Sequence, residues 1–195
     1  MSGDAFPFRR ARFTRDAGRR GSLQLKTLRV LPRAGHRARG WLVAGPLRMP
    51  CALGPAGTVR DKREGDGATP AGRFRLLWGY FRADRRRPPA GGVPLEPLRR
   101  DQGWCEDPAS GRYNRPVRLP ASDCTDRMRR DDALYDLVFV LDHNFTRRCK
   151  ARGSAIFLHL ARPDLTPTAG CVAISAADMR KLAPRLARGA EMWIG

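Results

Sequence analysis

The sequence predicts a mainly β domain, built of short mixed strands with one or two short helices. Three observations carry that expectation. Gly (20) and Pro (16) are both high for a chain of 195 residues, which favours many turns between short strands over a few long helices. YDLVFVLD (135–142) and SAIFLHL (154–160) are the most apolar stretches, and read as strands central to a sheet. Hydrophobic residues make up 42% and charged residues 29%, a balance that belongs to a folded chain with a core.

Taken in order, residues 1–20 form a basic, Gly-containing N-terminus expected to be mobile, and residues 21–195 form a single domain. LQLKTLRV (23–30) is the first strand, with Leu23, Leu25, Thr27 and Arg29 on one face and Gln24, Lys26, Leu28 and Val30 on the other. Leucine falls on both faces, so the alternation does not say which is buried. GWLVAG (40–45) is a second strand, joined to the first by a hairpin across Pro32–Gly40. KREGDGATPAGRFRLLWGYF (62–81) is a polar loop running into a strand, and Ala83–Pro97 reads as a proline- and arginine-rich surface loop. After CVAIS (171–175), Ser175 followed by Asp178 resembles a capping box opening a short helix with Met179, Leu182 and Leu186 on one face. Pro184 interrupts that face and starts a second turn, and EMWI (191–194) closes as a strand.

The formal net charge is +19, and with only four lysines among 38 basic residues the charge is carried by arginine. Its planar fork matches carboxylates and phosphates, so anionic partners are favoured, although a merely solvated surface gives the same composition. A nucleic-acid module would need a binding helix or an aromatic stacking pattern, and neither is visible, so specific nucleic-acid binding is not expected. No run of about 18 apolar residues predicts a membrane span, and no apolar stretch follows the arginine pairs near the start as an export signal would require. The five cysteines (51, 105, 124, 149 and 171) are an odd number, which leaves the redox compartment open. His143, Cys149, His159 and Cys171 have the chemistry for zinc, but their spacings of 6, 10 and 12 residues lack the close ligand pairs of structural sites.

TAGCVAIS (168–175) beside SAIFLHL offers a different chemistry. Gly170 lets the backbone turn tightly, which would expose the Cys171 sulfur at a strand edge. An ordinary thiol is only ~3% thiolate at neutral pH, and a neighbouring imidazole that takes its proton is worth roughly 10²–10⁴ in rate. His159 ends a strand 12 residues earlier, and the intervening loop is long enough to return Cys171 beside it. The alternative is a cysteine that is a small buried hydrophobe and a histidine that bonds locally.

The order of motifs resembles the YkuD-like L,D-transpeptidase catalytic domain, in a compact variety without visible signal or anchor. The likeness runs through MPCALGPAG (49–57), EGDGATPAGRF (64–74) with its Thr-Pro-x-Gly-x-Phe pattern, Tyr113-Asn114, YDLVFVLDHN (135–144), GSAIFLH (153–159) and TAGCVAIS, and covers residues 21–195. It implies an L,D-transpeptidase-like β-sandwich. It also implies Cys171 as nucleophile, His159 as general base oriented by the carbonyl of Leu160 or a neighbour, and backbone amides of Gly170 and Cys171 as the oxyanion site, with Thr168 at a position usually Ser or Thr. The implied substrates are peptidoglycan stem peptides joined through a thioester into 3-3 cross-links, with no cofactor and no metal. The implied place is the cell envelope or periplasm, with the cytoplasm as the alternative for a chain without an export signal. Rival readings are a cysteine peptidase or amidase acting on the same type of bond and a non-enzymatic basic polymer-binding module.

Departures from the family pattern fall around the site. Leu160 follows the histidine where many members have glycine, Ala173 stands where many have arginine, and Ala169 stands where some have histidine. The arginine that meets the substrate carboxylate is therefore open, with Arg63, Arg82 and Arg152 as candidates. Glu64, Asp66 and Thr69 are either a wall of the substrate groove or a turn in which Asp66 bonds its own backbone. His143 and Asn144 either line the cleft or end a strand. Tyr113, Asn114 and Trp104 read as packing and turn residues.

Overall fold

The structure, a computed structural model, describes residues 24–122 and 126–195. The basic N-terminus, Leu23 and Cys124 lie outside the described residues.

The chain is a β-rich domain with one short helix, as expected. Its strands are β1 (Leu25–Arg33), β2 (His36–Ala44), β3 (Leu47–Ala52), β4 (Thr58–Val59), β5 (Thr69–Pro70), β6 (Gly72–Phe81), β7 (Leu95–Pro97), β8 (Gln102–Cys105), β9 (Arg115–Arg118), β10 (Asp126–Arg127), β11 (Leu137–Leu141), β12 (Phe157–Leu160), β13 (Val172–Ile174) and β14 (Leu186–Ile194). Nine of them form one sheet in the order β11-β12-β13-β3-β2-β1-β14-β6-β7. β6 is long enough to close it: Gly72–Arg75 pair with β14, and Leu76–Phe81 pair with β11. Every strand of this sheet except β7 thus belongs to a closed circuit, which leaves few free edges.

The first strand explains its own blurred pattern. Leu25, Leu28 and Val30 are buried while Thr27 and Arg29 are exposed, because pairing with β14 slips between Leu25 and Thr27. A bulge changes which parity faces inward. The hairpin to β2 is present, tightened around Gly35 at φ 76°. The expectation of a surface loop over Ala83–Pro97 is corrected at its end: Leu95–Pro97 add as a parallel edge strand to β6, and Gly92 N–H donates to Leu186 O at 2.6 Å. Prolines 94 and 97 hide this strand from pattern reading, yet an edge position tolerates them.

The interior of the circuit is filled by Leu28, Leu42, Met49, Leu158, Val172, Ile174 and Met192, closed at one end by Met179 and Leu182 of α1 (Ala176–Leu182). Ser175 caps that helix, its Oγ accepting from Asp178 N–H at 3.0 Å, and a 3-10 turn over Ala183–Arg185 with Pro184 follows. A second cluster lies on the other face of β11–β12–β13, where Val138, Val140, Phe157 and Cys171 meet Trp104 and Met128. Trp104 belongs to a three-stranded sheet, β10-β8-β9, that sequence reading did not anticipate. Both faces of β11–β13 are therefore covered, which is why their sequences are continuously apolar.

Candidate active site

β12 and β13 run parallel, with Leu158 opposite Val172 and His159 opposite Ala173. Leu158 and Val172 point into the interior of the circuit. By strand alternation Phe157, His159, Cys171 and Ala173 share the opposite face, beneath the three-stranded sheet. Cys171 and His159 are thus brought to one face of neighbouring strands.

Gly170 makes the entry to β13. It sits at φ 136°, and a side-chain carbon there would meet Ala68 O at 2.7 Å, so only glycine fits without displacement. Thr168 staples the turn, its hydroxyl donating to Cys171 O at 2.7 Å and accepting from Gly170 N–H at 3.2 Å. The Gly170 amide, expected to point at an oxyanion, is engaged by Thr168 in this closed arrangement.

Cys171 Sγ–H donates to Ala155 O at 3.1 Å, and the sulfur accepts from Phe157 N–H at 3.3 Å. Burial pushes the thiol up to about 12, the Phe157 amide opposing only in part. His159 is buried at 6% exposure, and its Nδ1 lies 2.8 Å from Leu160 O. A carbonyl only accepts, so Nδ1 carries the proton and Nε2 the lone pair. Burial lowers the imidazole to about 4, against the raising effect of the Leu160 bond. At neutral pH the site holds a neutral thiol and a neutral imidazole.

The ring of Tyr135 stands edge-on to His159 at 5.4 Å between centroids, and its hydroxyl donates to Asp126 Oδ2 at 3.1 Å. Asp126 is raised chiefly by burial. This Tyr135–Asp126 pair, carried by the loop before β11 and by β10, has no local sequence signature.

A family model described as YkuD, L,D-transpeptidase catalytic domain, matches residues 37–194. The chain belongs to the L,D-transpeptidase catalytic-domain family. Comparison with curated proteins finds no match.

Around the site of this L,D-transpeptidase domain, the loop between β4 and β5 braces both segments that hold the thiol. The stem of Lys62 passes over Gly170 and Gly153, with Cε 3.5 Å and Cγ 2.8 Å from where their side-chain carbons would be. Lys62 is 4% exposed, and its ammonium donates to Asp66 Oδ1 at 2.5 Å and Arg63 O at 2.7 Å. Asp66 also accepts from the amides of Arg63 and Ala68, both at 2.8 Å. Burial raises the Asp66 carboxyl, but these donors together outweigh it and hold the group below its usual range. Glu64 accepts from Ser154 Oγ at 2.8 Å and from the Tyr113 hydroxyl. Sequence reading passed over Lys62, since burial of one lysine is not visible from composition.

Thr69 and Arg82, both expected in the groove, are buried. Thr69 is fully buried, its Oγ1 accepting from Gly54 N–H at 2.9 Å, so it pins two loops together. Arg82 is 6% exposed, its fork held by Asp84 at 2.9 and 2.8 Å and by Arg130 O at 2.6 Å. Glu64 and Asp66 act chiefly within the brace.

His143 and Asn144 lie just past the end of β11. They turn the chain after β11, with Asn144 at φ 48°, its amide bonding Cys149 O and Gly153 O, and His143 Nε2 2.9 Å from Arg152 O. They also line a hollow of about 330 Å³ with Arg60, Asp61, Lys62, Cys149 and Arg152. A larger hollow of about 490 Å³, between the β1–β2 turn and Ala56–Thr58, is lined by none of the site residues.

Asn114 is more than a turn residue. Its Oδ1 accepts from Trp104 Nε1 at 3.0 Å and Ala155 N–H at 3.1 Å, and its Nδ2 donates to the carbonyls of His143 and Asn144. It ties the covering sheet to both loops of the site. Among the described residues, no three His, Cys, Asp or Glu side chains come together as a metal site, and no helix is long and apolar enough to cross a membrane.

Proposed function

We propose that the chain is a cysteine-dependent acyltransferase of the cell envelope, acting on peptidoglycan stem peptides. Cys171 is the nucleophile and His159 the general base. The observation that carries this reading is the pairing of β12 with β13, which sets the two side chains on one face while Leu160 O holds His159 in the tautomer whose Nε2 can accept a proton.

The neutral resting pair sets the order of events. As the donor carbonyl arrives, the thiol proton passes to Nε2 and the sulfur bonds to the carbonyl carbon. The tetrahedral oxyanion draws on backbone amides at the Gly170–Cys171 turn, the Gly170 amide exchanging Thr168 Oγ1 for the developing charge. The imidazolium then gives its proton to the departing amine, D-alanine in the family's reaction, and a thioester remains on Cys171. An acceptor amine attacks this thioester, loses its proton to His159, and leaves as the new amide. Every proton taken by the imidazole is returned, and no metal is needed.

Cys171 is 7% exposed, so the donor's entry requires local opening around the thiol. The test is covalent capture by a carbapenem followed by intact-mass measurement. The wild-type protein gains one adduct, which maps to Cys171, and Cys171→Ala gains none. An adduct of equal yield on Cys171→Ala would sink the assignment. Incubation with a tetrapeptide stem then assigns the acceptor: a cross-linked dimer supports transfer to an amine, and free tripeptide alone indicates transfer to water.

A further inference from the structure

The acyl-transfer reading leaves unassigned the group that meets the donor's free carboxylate. Ala173 stands where an arginine is frequent in the family, and Arg82 is consumed by Asp84 and Arg130 O. The hollow lined by Arg60, Asp61, Lys62, His143, Asn144, Cys149 and Arg152 has the required charge and the required position.

Its charge comes from an uneven pairing. Lys62 is matched by Asp66. Asp61 is shared between Arg152 and Arg63. Arg60 is exposed and makes no ion pair among the described residues. The lining itself thus carries three cations, Arg60, Lys62 and Arg152, and one carboxylate, Asp61, and the unpaired charge is that of Arg60, an arginine whose fork accepts a carboxylate at two points. Burial lowers the His143 imidazole, which disfavours a charge on it.

Its position follows from continuity with the thiol's own supports. Lys62 forms part of the lining and also runs within 3.5 Å of the side-chain position of Gly170, the residue before Cys171. On the opposite lip, Asn144 binds Gly153 O, two residues before the Ala155 carbonyl that accepts the thiol's hydrogen bond. In a D-amino-acid leaving group the carboxylate is separated from the scissile carbonyl carbon by only the amide nitrogen and one carbon. A carboxylate subsite must lie near the nucleophile's turn, and the Lys62 side chain, which lines this hollow, packs over both Gly153 and Gly170 and so links the two.

We infer that the Arg60–Lys62–Arg152 hollow is the subsite for the terminal carboxylate of the acyl donor, with Arg60 and Arg152 as the direct contacts and Lys62 as the fixed charge behind them. This rests on the acyl-transfer reading, and the experiment separates the two. Acylation of Cys171 is timed by mass spectrometry with two donors, a tetrapeptide stem with a free C-terminal acid and the same peptide as its C-terminal amide. The wild-type protein favours the acid by about tenfold or more, as one charge-assisted contact requires. Arg60→Gln and Arg152→Gln, both on exposed side chains, reduce that preference severalfold, and the double variant abolishes it, the acid donor losing far more rate than the amide donor. Lys62→Met, checked for folding by its thermal transition, also reduces it. Acylation that keeps its acid preference in the double variant overturns the subsite and leaves the nucleophile standing. No acylation of the wild-type Cys171 by either donor overturns both.

Discussion

The thiol of Cys171 donates to the carbonyl oxygen of Ala155 at 3.1 Å, and Ala155 holds φ at 51°, the left-handed region that an alanine seldom occupies. That conformation costs on the order of 1–3 kcal/mol, and the bond that Ala155 N–H donates to Asn114 Oδ1 helps to sustain it. The proton is thereby kept on sulfur while the site is closed.

Thiol labelling follows directly. Cys171 and Cys51 are buried and pushed up to about 12, whereas Cys149 is exposed. Iodoacetamide at pH 7–8, read by peptide mass mapping, is expected to modify Cys149 first and leave Cys171 and Cys51 largely unmodified. Alkylation of Cys171 as fast as Cys149 would show that the closed arrangement is not the resting one.

Stability should fall on the acid side for a reason that His159 supplies. Its imidazole is lowered from 6.5 to about 4, so between those values the unfolded chain binds a proton that the folded chain does not. The contribution is intact above pH 6.5 and is lost as pH falls through the window, reaching on the order of 3 kcal/mol. The sign reverses for the buried thiols, which lose stability as pH rises above 9.0. Urea denaturation across pH 4–7 checks the first: His159→Gln should flatten the acid slope, and an unchanged slope would contradict the assignment.

Gly170→Ala should cost about 2–4 kcal/mol and slow acylation of Cys171. Its new carbon would lie 2.7 Å from Ala68 O, at φ 136°. Gly111, where a side-chain carbon meets nothing within 4 Å, is the control, and Gly111→Ala should leave both quantities nearly unchanged.

Asn114→Ala should be among the more damaging single changes outside the apolar core. It removes the acceptor of the Trp104 and Ala155 N–H groups and the donor to two carbonyls, at a residue with φ 53°. A loss of about 3 kcal/mol or more is expected from two unsatisfied buried donors. Asn114→Asp keeps the acceptor and should cost less. Equal midpoints for Asn114→Ala and wild type in urea would count against Asn114 as the tie between sheet and loops.

Local chemistry announced itself clearly in the sequence. Gly-Cys after a small-residue turn, Ser175 with Asp178, and the hairpin across Pro32–Gly40 each have a short-range cause that a few neighbouring residues express. The continuous apolar runs of β11 and β12 likewise reported burial on both faces. The three-stranded cover did not show itself, because β8, β9 and β10 are short, and the partners of Trp104 and Met128 come from elsewhere in the chain. The bulge in β1 erased the alternation that would have identified its buried face.

By itself, then, the sequence determined the β-rich class, the helix cap and the two residues, Cys171 and His159, that deserve mutation first. Only the tertiary structure decided which charged residues are spent and which remain available. Arg82, Arg60 and Arg152 are alike as letters, but Arg82 is folded onto Asp84 and the Arg130 carbonyl while Arg60 lies exposed at the hollow it shares with His143 and Asn144. The reason is physical: strand alternation and glycine geometry act over a few residues, whereas the pairing and burial of a charge depend on groups that meet only when distant loops close on one another.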